Sequence, residues 1–227
     1  MAMKQFTITK NDKLTHDVFE IHFKTEEPIS MNYGQFVTFI LPEIGGRSYS
    51  VLEENGTTIK LIIKKVELED SGRWGSIFIC DSKVWDTLQG VGPAGHFVLQ
   101  KNNKNKLFIG TGTGLVPLYN QAVWAVEEKL ECSMKFLFGV RRENDLFYID
   151  ELNSLSENDN FSYQVYTSRE QVWDYEEGYV TKYLSKENVA QFEEFYICWM
   201  PAMVDACEEK LKELWISEES IFSEKYT

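Results

Sequence analysis

The sequence predicts an antiparallel β-barrel followed by an α/β domain built on a parallel sheet. Three observations predict it. Short runs of alternating apolar and polar residues fill the first hundred positions. The polar tract Lys101-Asn102-Asn103-Lys104-Asn105-Lys106 then breaks the rhythm. Beyond it, short apolar runs alternate with stretches of helical period. Period-two alternation marks strands with one buried face, and strands alternating with helices imply parallel pairing.

In the first part, QFTITKNDK, VFEIHFKTE, QFVTFILPE, GRSYSVLEE and TIKLIIKKVE read as strands. Turn signals such as Gly45-Gly46 and Asn55-Gly56 separate them. Residues 75–80 read as a single helical stretch, and the barrel is expected to close with residues 87–88 and 95–99. Near-regular spacing of about six short strands is a barrel signature. In the second part, KLFIG, MKFLFGV, FSYQVYTS, EFYICW and SIFSEKY read as strands. The segments VPLYNQAVWAVEEKL, DLFYIDELNSL, TKYLSKENV and AMVDACEEKLKEL read as helices. The expected domains are residues 1–102, the barrel, and 103–227, a Rossmann-like α/β domain.

Composition narrows the function. A length of 227 residues suits one large domain or two small ones, and 43% hydrophobic with 26% charged residues is an ordinary globular balance. No segment approaches the ~20 apolar residues that span a bilayer. The opening MAMKQFTITKNDK lacks an apolar leader core, so a cytoplasmic location is expected. A net charge of −13 opposes a nucleic-acid role. Cys80, Cys132, Cys198 and Cys207 lack the spacing of a zinc or iron–sulfur site, so no metal is expected and reduced thiols are.

Four constellations carry chemistry. Arg47-Ser48-Tyr49-Ser50 ends a barrel strand. An arginine offers a fork of donors to a pyrophosphate, an aromatic ring packs on a flat heterocycle, and a small hydroxyl bonds a ring nitrogen. The motif follows Tyr33-Gly34-Gln35-Phe36 and precedes Gly72-x-x-Gly75-Ser76, a helix start suited to anions. Two phosphate-friendly sites on one barrel fit a dinucleotide. Next, Gly110-Thr111-Gly112-Thr113-Gly114-Leu115-Val116-Pro117 follows an apolar strand and opens a helix. Its glycines either form a plain loop or let backbone N–H groups approach phosphate at the C-terminal edge of a sheet. The third, Tyr196-Ile197-Cys198-Trp199-Met200-Pro201, is another strand-to-helix turn, whose cysteine either packs in the core or faces a bound nucleotide. The last, Ser223-Glu224-Lys225-Tyr226-Thr227, either completes the sheet or lends an aromatic cover to a cofactor ring.

Together these motifs resemble the ferredoxin–NADP+ reductase superfamily over nearly the whole chain. The resemblance also rests on Gly92-Pro93-Ala94-Gly95-His96-Phe97, Gly139-Val140-Arg141, Asp145-Leu146-Phe147-Tyr148 and Thr167-Ser168-Arg169. It is nearest to compact FAD reductases without a fused iron–sulfur domain, with FAD held between barrel and α/β domain. It implies that Arg47 holds the FAD pyrophosphate and Tyr49 packs on the flavin, with Ser48 beside them. Ser50 lies near flavin N5, and Gly75 and Ser76 bind phosphates. Gly112, Thr113 and Gly114 receive the nicotinamide nucleotide. Ser168 and Arg169 contact its adenosine ribose or a 2′-phosphate, although the acidic Glu170, Asp174, Glu176 and Glu177 leave NADH versus NADPH open. Cys198 and Glu224 line the nicotinamide site, with Ser50 forming the catalytic set, and Tyr226 covers a flavin face.

The resemblance implies an NAD(P)H-dependent reductase passing electrons to a separate carrier such as ferredoxin or flavodoxin, or to an oxygenase component. The alternatives are an NAD(P)H:flavin reductase and a non-catalytic nucleotide-binding module. The chain departs from the family where glycine is expected at Trp74, Trp85, Trp199 and Trp215. Each such replacement costs ~1–3 kcal/mol where the backbone needs a left-handed conformation. One hypothesis is a UGA codon, read as glycine in the source cell and as tryptophan here. The other is drift into tolerant turns.

Overall fold

The computed structural model describes residues 2–66 and 74–226. Compactness divides the chain into two units, Met1–Leu99 and Gln100–Thr227. The break precedes the polar tract because that tract is tied to the second unit. Gln100 N–H donates to Tyr196 Oη at 3.0 Å, and Asn102 Nδ2 donates to Glu194 Oε1 at 2.7 Å.

The first unit contains strands β1 (Lys4–Lys13), β2 (Val18–Lys24), β3 (Phe36–Leu41), β4 (Gly45–Asn55), β5 (Thr58–Lys64) and β6 (Thr87–Ala94), with helix α1 (Trp74–Asp81) before β6. They close in the order β1-β2-β5-β4-β3-β6, each pair antiparallel. Closure leaves no free strand edge. The alternation in β3 shows why these residues form a barrel wall: Val37, Phe39 and Leu41 are buried inward, while Thr38 and Ile40 are not. Phe39 packs edge-on against Phe6 at 5.2 Å between centroids and tilted against Phe23 at 5.0 Å. Ile79 and Cys80 of α1 belong to the same core, so the helix plugs the barrel. Asn11 Nδ2 donates to Cys80 O and Ser82 O, satisfying carbonyls that the end of α1 leaves open.

The closing segment differs from expectation. Strand β6 runs to Ala94, and residues 95–99 are irregular rather than extended. Gly95 turns the chain at φ 111°, and a Cβ there would sit 2.9 Å from the Phe36 ring. Gly72 of the expected helix-start motif lies outside the described residues.

The second unit alternates β7 (Lys106–Thr111), α2 (Leu115–Glu127), β8 (Met134–Val140), α3 (Ile149–Leu155), β9 (Phe161–Thr167), the short β10 (Glu176–Glu177), α4 (Lys186–Val189), β11 (Glu194–Trp199), α5 (Pro201–Glu213) and β12 (Ile221–Lys225). The sheet order is β10-β9-β8-β7-β11-β12, and every pair is parallel. Strands β7, β8 and β11 are buried almost throughout, as expected of strands covered on both faces.

Two helical expectations shorten. In DLFYIDELNSL the helix starts only at Ile149, because Tyr148 sits at φ 62°. The segment TKYLSKENV splits into a 3-10 turn, Val180–Tyr183, and the one-turn α4, capped by Ser185 accepting from the Asn188 N–H. Among the described residues no helix is long and apolar enough to cross a membrane.

Candidate functional site

In the first unit the structure brings Arg47, Tyr49, Gly75 and Ser76 together. Arg47 lies opposite Phe39 and Tyr49 opposite Val37 in the β3–β4 ladder, so both share the inward face. Ser48 and Ser50 take the other face, where Ser48 pairs with the Thr38 hydroxyl at 2.9 Å. Tyr49 packs its ring 6.1 Å from Phe39, and burial raises its phenol well above the usual range. Arg47 Nη1 donates to the Gly46 carbonyl at 2.8 Å.

Gly75 explains the meeting of strand and helix. A Cβ on Gly75 would lie 2.5 Å from Arg47 Cγ and 3.2 Å from Tyr49 Oη. Any other residue would push the start of α1 off the arginine stem. Ser76 is buried, and its Oγ accepts from the Val66 N–H at 3.2 Å. The result is a guanidinium fork and an aromatic ring beside a helix N-terminus, a donor set suited to a pyrophosphate carrying a flat ring.

In the second unit the glycine loop leaves the end of β7 and enters α2 at once. Gly112 bends it at φ 50°, and Thr113 is 5% exposed. Its neighbour is the end of β11: Cys198 pairs with Gly110 on one side and with Glu224 of β12 on the other. A Cβ on Gly114 would fall inside the Cys198 carbonyl oxygen, with the carbonyl carbon at 2.8 Å. The chain moves from β7 toward β8 and β9 on one side, and toward β11 and β12 on the other. The loop therefore sits where the strand order reverses, the place where open α/β sheets bind ligands.

Trp199 closes over this loop. A Cβ on Gly112 would lie 3.0 Å from its Cζ2. The indole packs 5.8 Å from the Tyr226 ring, and Tyr226 N–H donates to the Trp199 carbonyl at 3.0 Å. Gly112, Thr113, Gly114, Cys198, Glu224 and Tyr226 thus form one cluster. Ser168 and Arg169 lie apart, at the end of β9, two strands from β7. Their N–H groups bond the Val140 and Arg141 carbonyls, and the acidic Glu170 beside them accepts from the Glu143 N–H. Sequence reasoning missed the steric role of Gly139, whose Cβ would meet Thr111 Cγ2 at 2.6 Å. A glycine within an apolar strand was the available signal.

Cys198 is fully buried. Burial holds its thiol well above the usual value, the Glu224 carboxylate adds to this, and a hydrogen bond with Tyr226 opposes it. At neutral pH it is a neutral thiol, able to line a pocket but not to attack as a thiolate. Burial likewise pushes Cys80 and Cys207 up to about 12. A raised folded pKa stabilises below the unfolded thiol pKa, and that stability is lost as pH climbs toward the folded value. Urea unfolding should therefore give equal midpoints at pH 7 and 8 and a clearly lower one at pH 10. The expected loss is ~1 kcal/mol per pH unit for each of these thiols above pH ~9. An unchanged midpoint at pH 10 would contradict the burial.

Comparisons with known proteins bear on the family and the fold. The family model for an oxidoreductase NAD-binding domain matches residues 108–209. The xylene/toluene monooxygenase electron transfer component XylA of Pseudomonas putida is 26% identical over 225 residues, 96% of this chain and 64% of that protein. The toluate 1,2-dioxygenase electron transfer component of Pseudomonas putida is 27% identical over 85% of this chain and 58% of its own length. The chain thus spans less than two thirds of these relatives. The Amycolatopsis cytochrome P450 reductase GcoB superposes with a TM-score of 0.90 at 24% identity, over 100% of this chain and 70% of that one. A ferredoxin NADP+ reductase from Neisseria gonorrhoeae, with bound FAD and NADP, gives 0.84 at 19% identity, covering 99% of both chains. At these identities the structures establish the fold.

Proposed function

We propose that the chain is a member of the ferredoxin–NADP+ reductase superfamily, an FAD-dependent NAD(P)H reductase delivering electrons to a separate carrier or oxygenase component; the matched NAD-binding family model and the electron-transfer relatives support this. One steric observation carries the reading. In each unit a helix opens beside a glycine whose Cβ would collide, Gly75 with Arg47 and Gly114 with Cys198. Glycine is the residue that lets backbone approach a ligand or another chain segment this closely.

In this reading Arg47 clamps the FAD pyrophosphate, with Gly75 and Ser76 donating from the start of α1. Tyr49 packs on the flavin, flanked by Ser48, and Ser50 hydrogen-bonds its ring. Gly112, Thr113 and Gly114 receive the nicotinamide nucleotide at the start of α2, and Ser168 and Arg169 meet its adenosine end. Cys198, Glu224 and Tyr226 line the nicotinamide side. Bound flavin supplies the redox chemistry, taking a hydride and releasing electrons singly, while the protein supplies orientation. The partner follows from the relatives named electron transfer components. A cytoplasmic location is supported by four free thiols.

The indole of Trp199 against Gly112 favours a second reading, a nucleotide-binding module that has lost hydride transfer. An absorbance spectrum of the purified protein, followed by anaerobic titration with NADH and with NADPH, decides between them. The reductase shows retained flavin bands that bleach with one nucleotide. Flavin that fails to bleach with either supports the module. Flavin that is lost on dialysis but reduced when added back marks a flavin reductase.

A further inference from the structure

Among the described residues, five other than glycine adopt positive φ, and two of these are tryptophans: Trp85 at 81° and Trp215 at 66°. The remaining three are Glu43, Lys129 and Tyr148. The chain has only six tryptophans. For a bulky residue a left-handed backbone is a true outlier, costly because Cβ crowds the following carbonyl.

Neither site lets the backbone escape. Asp86 N–H donates to the Lys83 carbonyl at 3.0 Å, which makes Trp85 the third residue of a β-turn. A φ of +81° there, with no positive φ at Val84, is the type II geometry, whose third position takes glycine. The turn is pinned to β1: Trp85 N–H donates to Ile8 O at 2.8 Å, and Ile8 N–H donates to Asp86 O at 2.9 Å. Trp215 follows α5. Its N–H donates to Lys212 O at 3.0 Å, and Ile216 N–H donates to Leu211 O at 3.1 Å. Those paired bonds are the Schellman motif, with residue 215 at the left-handed position where glycine predominates. Ile216 packs on the core that contains Leu211, locking the cap.

Among the described residues nothing repays the strain. Trp85 is 76% exposed and Trp215 93% exposed, so their rings bury little. Trp124 is the contrast: 6% exposed within α2, with the Lys101 ammonium 4.7 Å over its ring. The geometry points to positions 85 and 215 being glycine in the protein as its own cell makes it, through a codon decoded there as glycine and here as tryptophan. Trp124 is a genuine tryptophan on the same reasoning. The inference stands apart from the enzymatic reading, since both sites are scaffold turns.

Two measurements test it. Peptide mass spectrometry of the protein isolated from its source cells should find glycine at 85 and 215 and tryptophan at 124. In the protein as sequenced here, Trp85→Gly and Trp215→Gly should each raise the melting temperature by about 2–4 °C. Trp85→Ala and Trp215→Ala remove the exposed rings but keep a Cβ at positive φ, and should give no rise. Trp124→Gly should lower the melting temperature. Tryptophan at 85 or 215 in the native peptides overturns the assignment. So does a melting temperature that both glycine variants leave unchanged or lower, or that the alanine variants raise equally.

Discussion

Arg47→Ala is expected to yield a folded protein that has lost its flavin. The side chain is half-buried on β4, but the barrel core is built from Phe6, Phe23, Phe39 and their aliphatic neighbours, not from the arginine. Its removal therefore leaves the core intact, and the melting temperature of the apoprotein should shift by no more than a few degrees. The proposed ligand loses much more. A charge-assisted bond to a phosphate contributes ~1.5–3 kcal/mol, and a guanidinium fork makes two. Losing both weakens flavin binding by ~100-fold or more. Arg47→Lys keeps the charge without the fork and should fall between. Flavin absorbance retained after dialysis is the measurement. Full retention in Arg47→Ala would remove Arg47 from the pyrophosphate site.

Gly114→Ala should have the opposite signature, with flavin retained and nicotinamide oxidation lost. Gly114 belongs to the second unit, and its missing Cβ makes room for the Cys198 carbonyl. An alanine must drive the loop away from β11 or spread β7 from β11, at a cost of ~1–3 kcal/mol in overpacking strain. Either movement displaces Thr113 and the start of α2. A misplacement of ~1 Å at such a site reduces rate by ~100-fold. Stopped-flow reduction by NADH or NADPH reads the rate, and circular dichroism reads the stability of the second unit. Normal reduction with an unshifted melting curve would show that the loop has slack that its contacts deny.

The two substitutions separate what was legible in the sequence from what was not. The Arg47-Ser48-Tyr49-Ser50 motif and the glycine loop stand out because both depend on residue types at fixed local spacing. The meeting of Arg47 with Gly75 does not stand out, since it arises from closure of the barrel around α1. Gly114 reads locally as a flexible loop residue, and only its contact with Cys198 reveals a steric requirement. Residues 95–99 misled for a related reason: their apolar alternation suits a strand, but no partner strand is available once β6 has paired with β1 and β3. Likewise, TKYLSKENV has helical period, yet the chain must turn at Leu184, whose ψ of 88° is not helical.

The sequence by itself determined the kinds of element and their order, because period-two and helical patterns of apolar residues are written over a few neighbouring positions. It also marked the glycine-rich strand ends where a ligand site is proposed, because glycine clusters at strand ends are local. Tertiary structure alone decided that β11 lies beside β7, which sets Cys198 against the glycine loop. That Trp85 and Trp215 stand in turns suited to glycine was legible locally, and the structure adds the left-handed backbone of both. Strand neighbours follow from burying both faces of the whole sheet. No short window of residues contains that constraint.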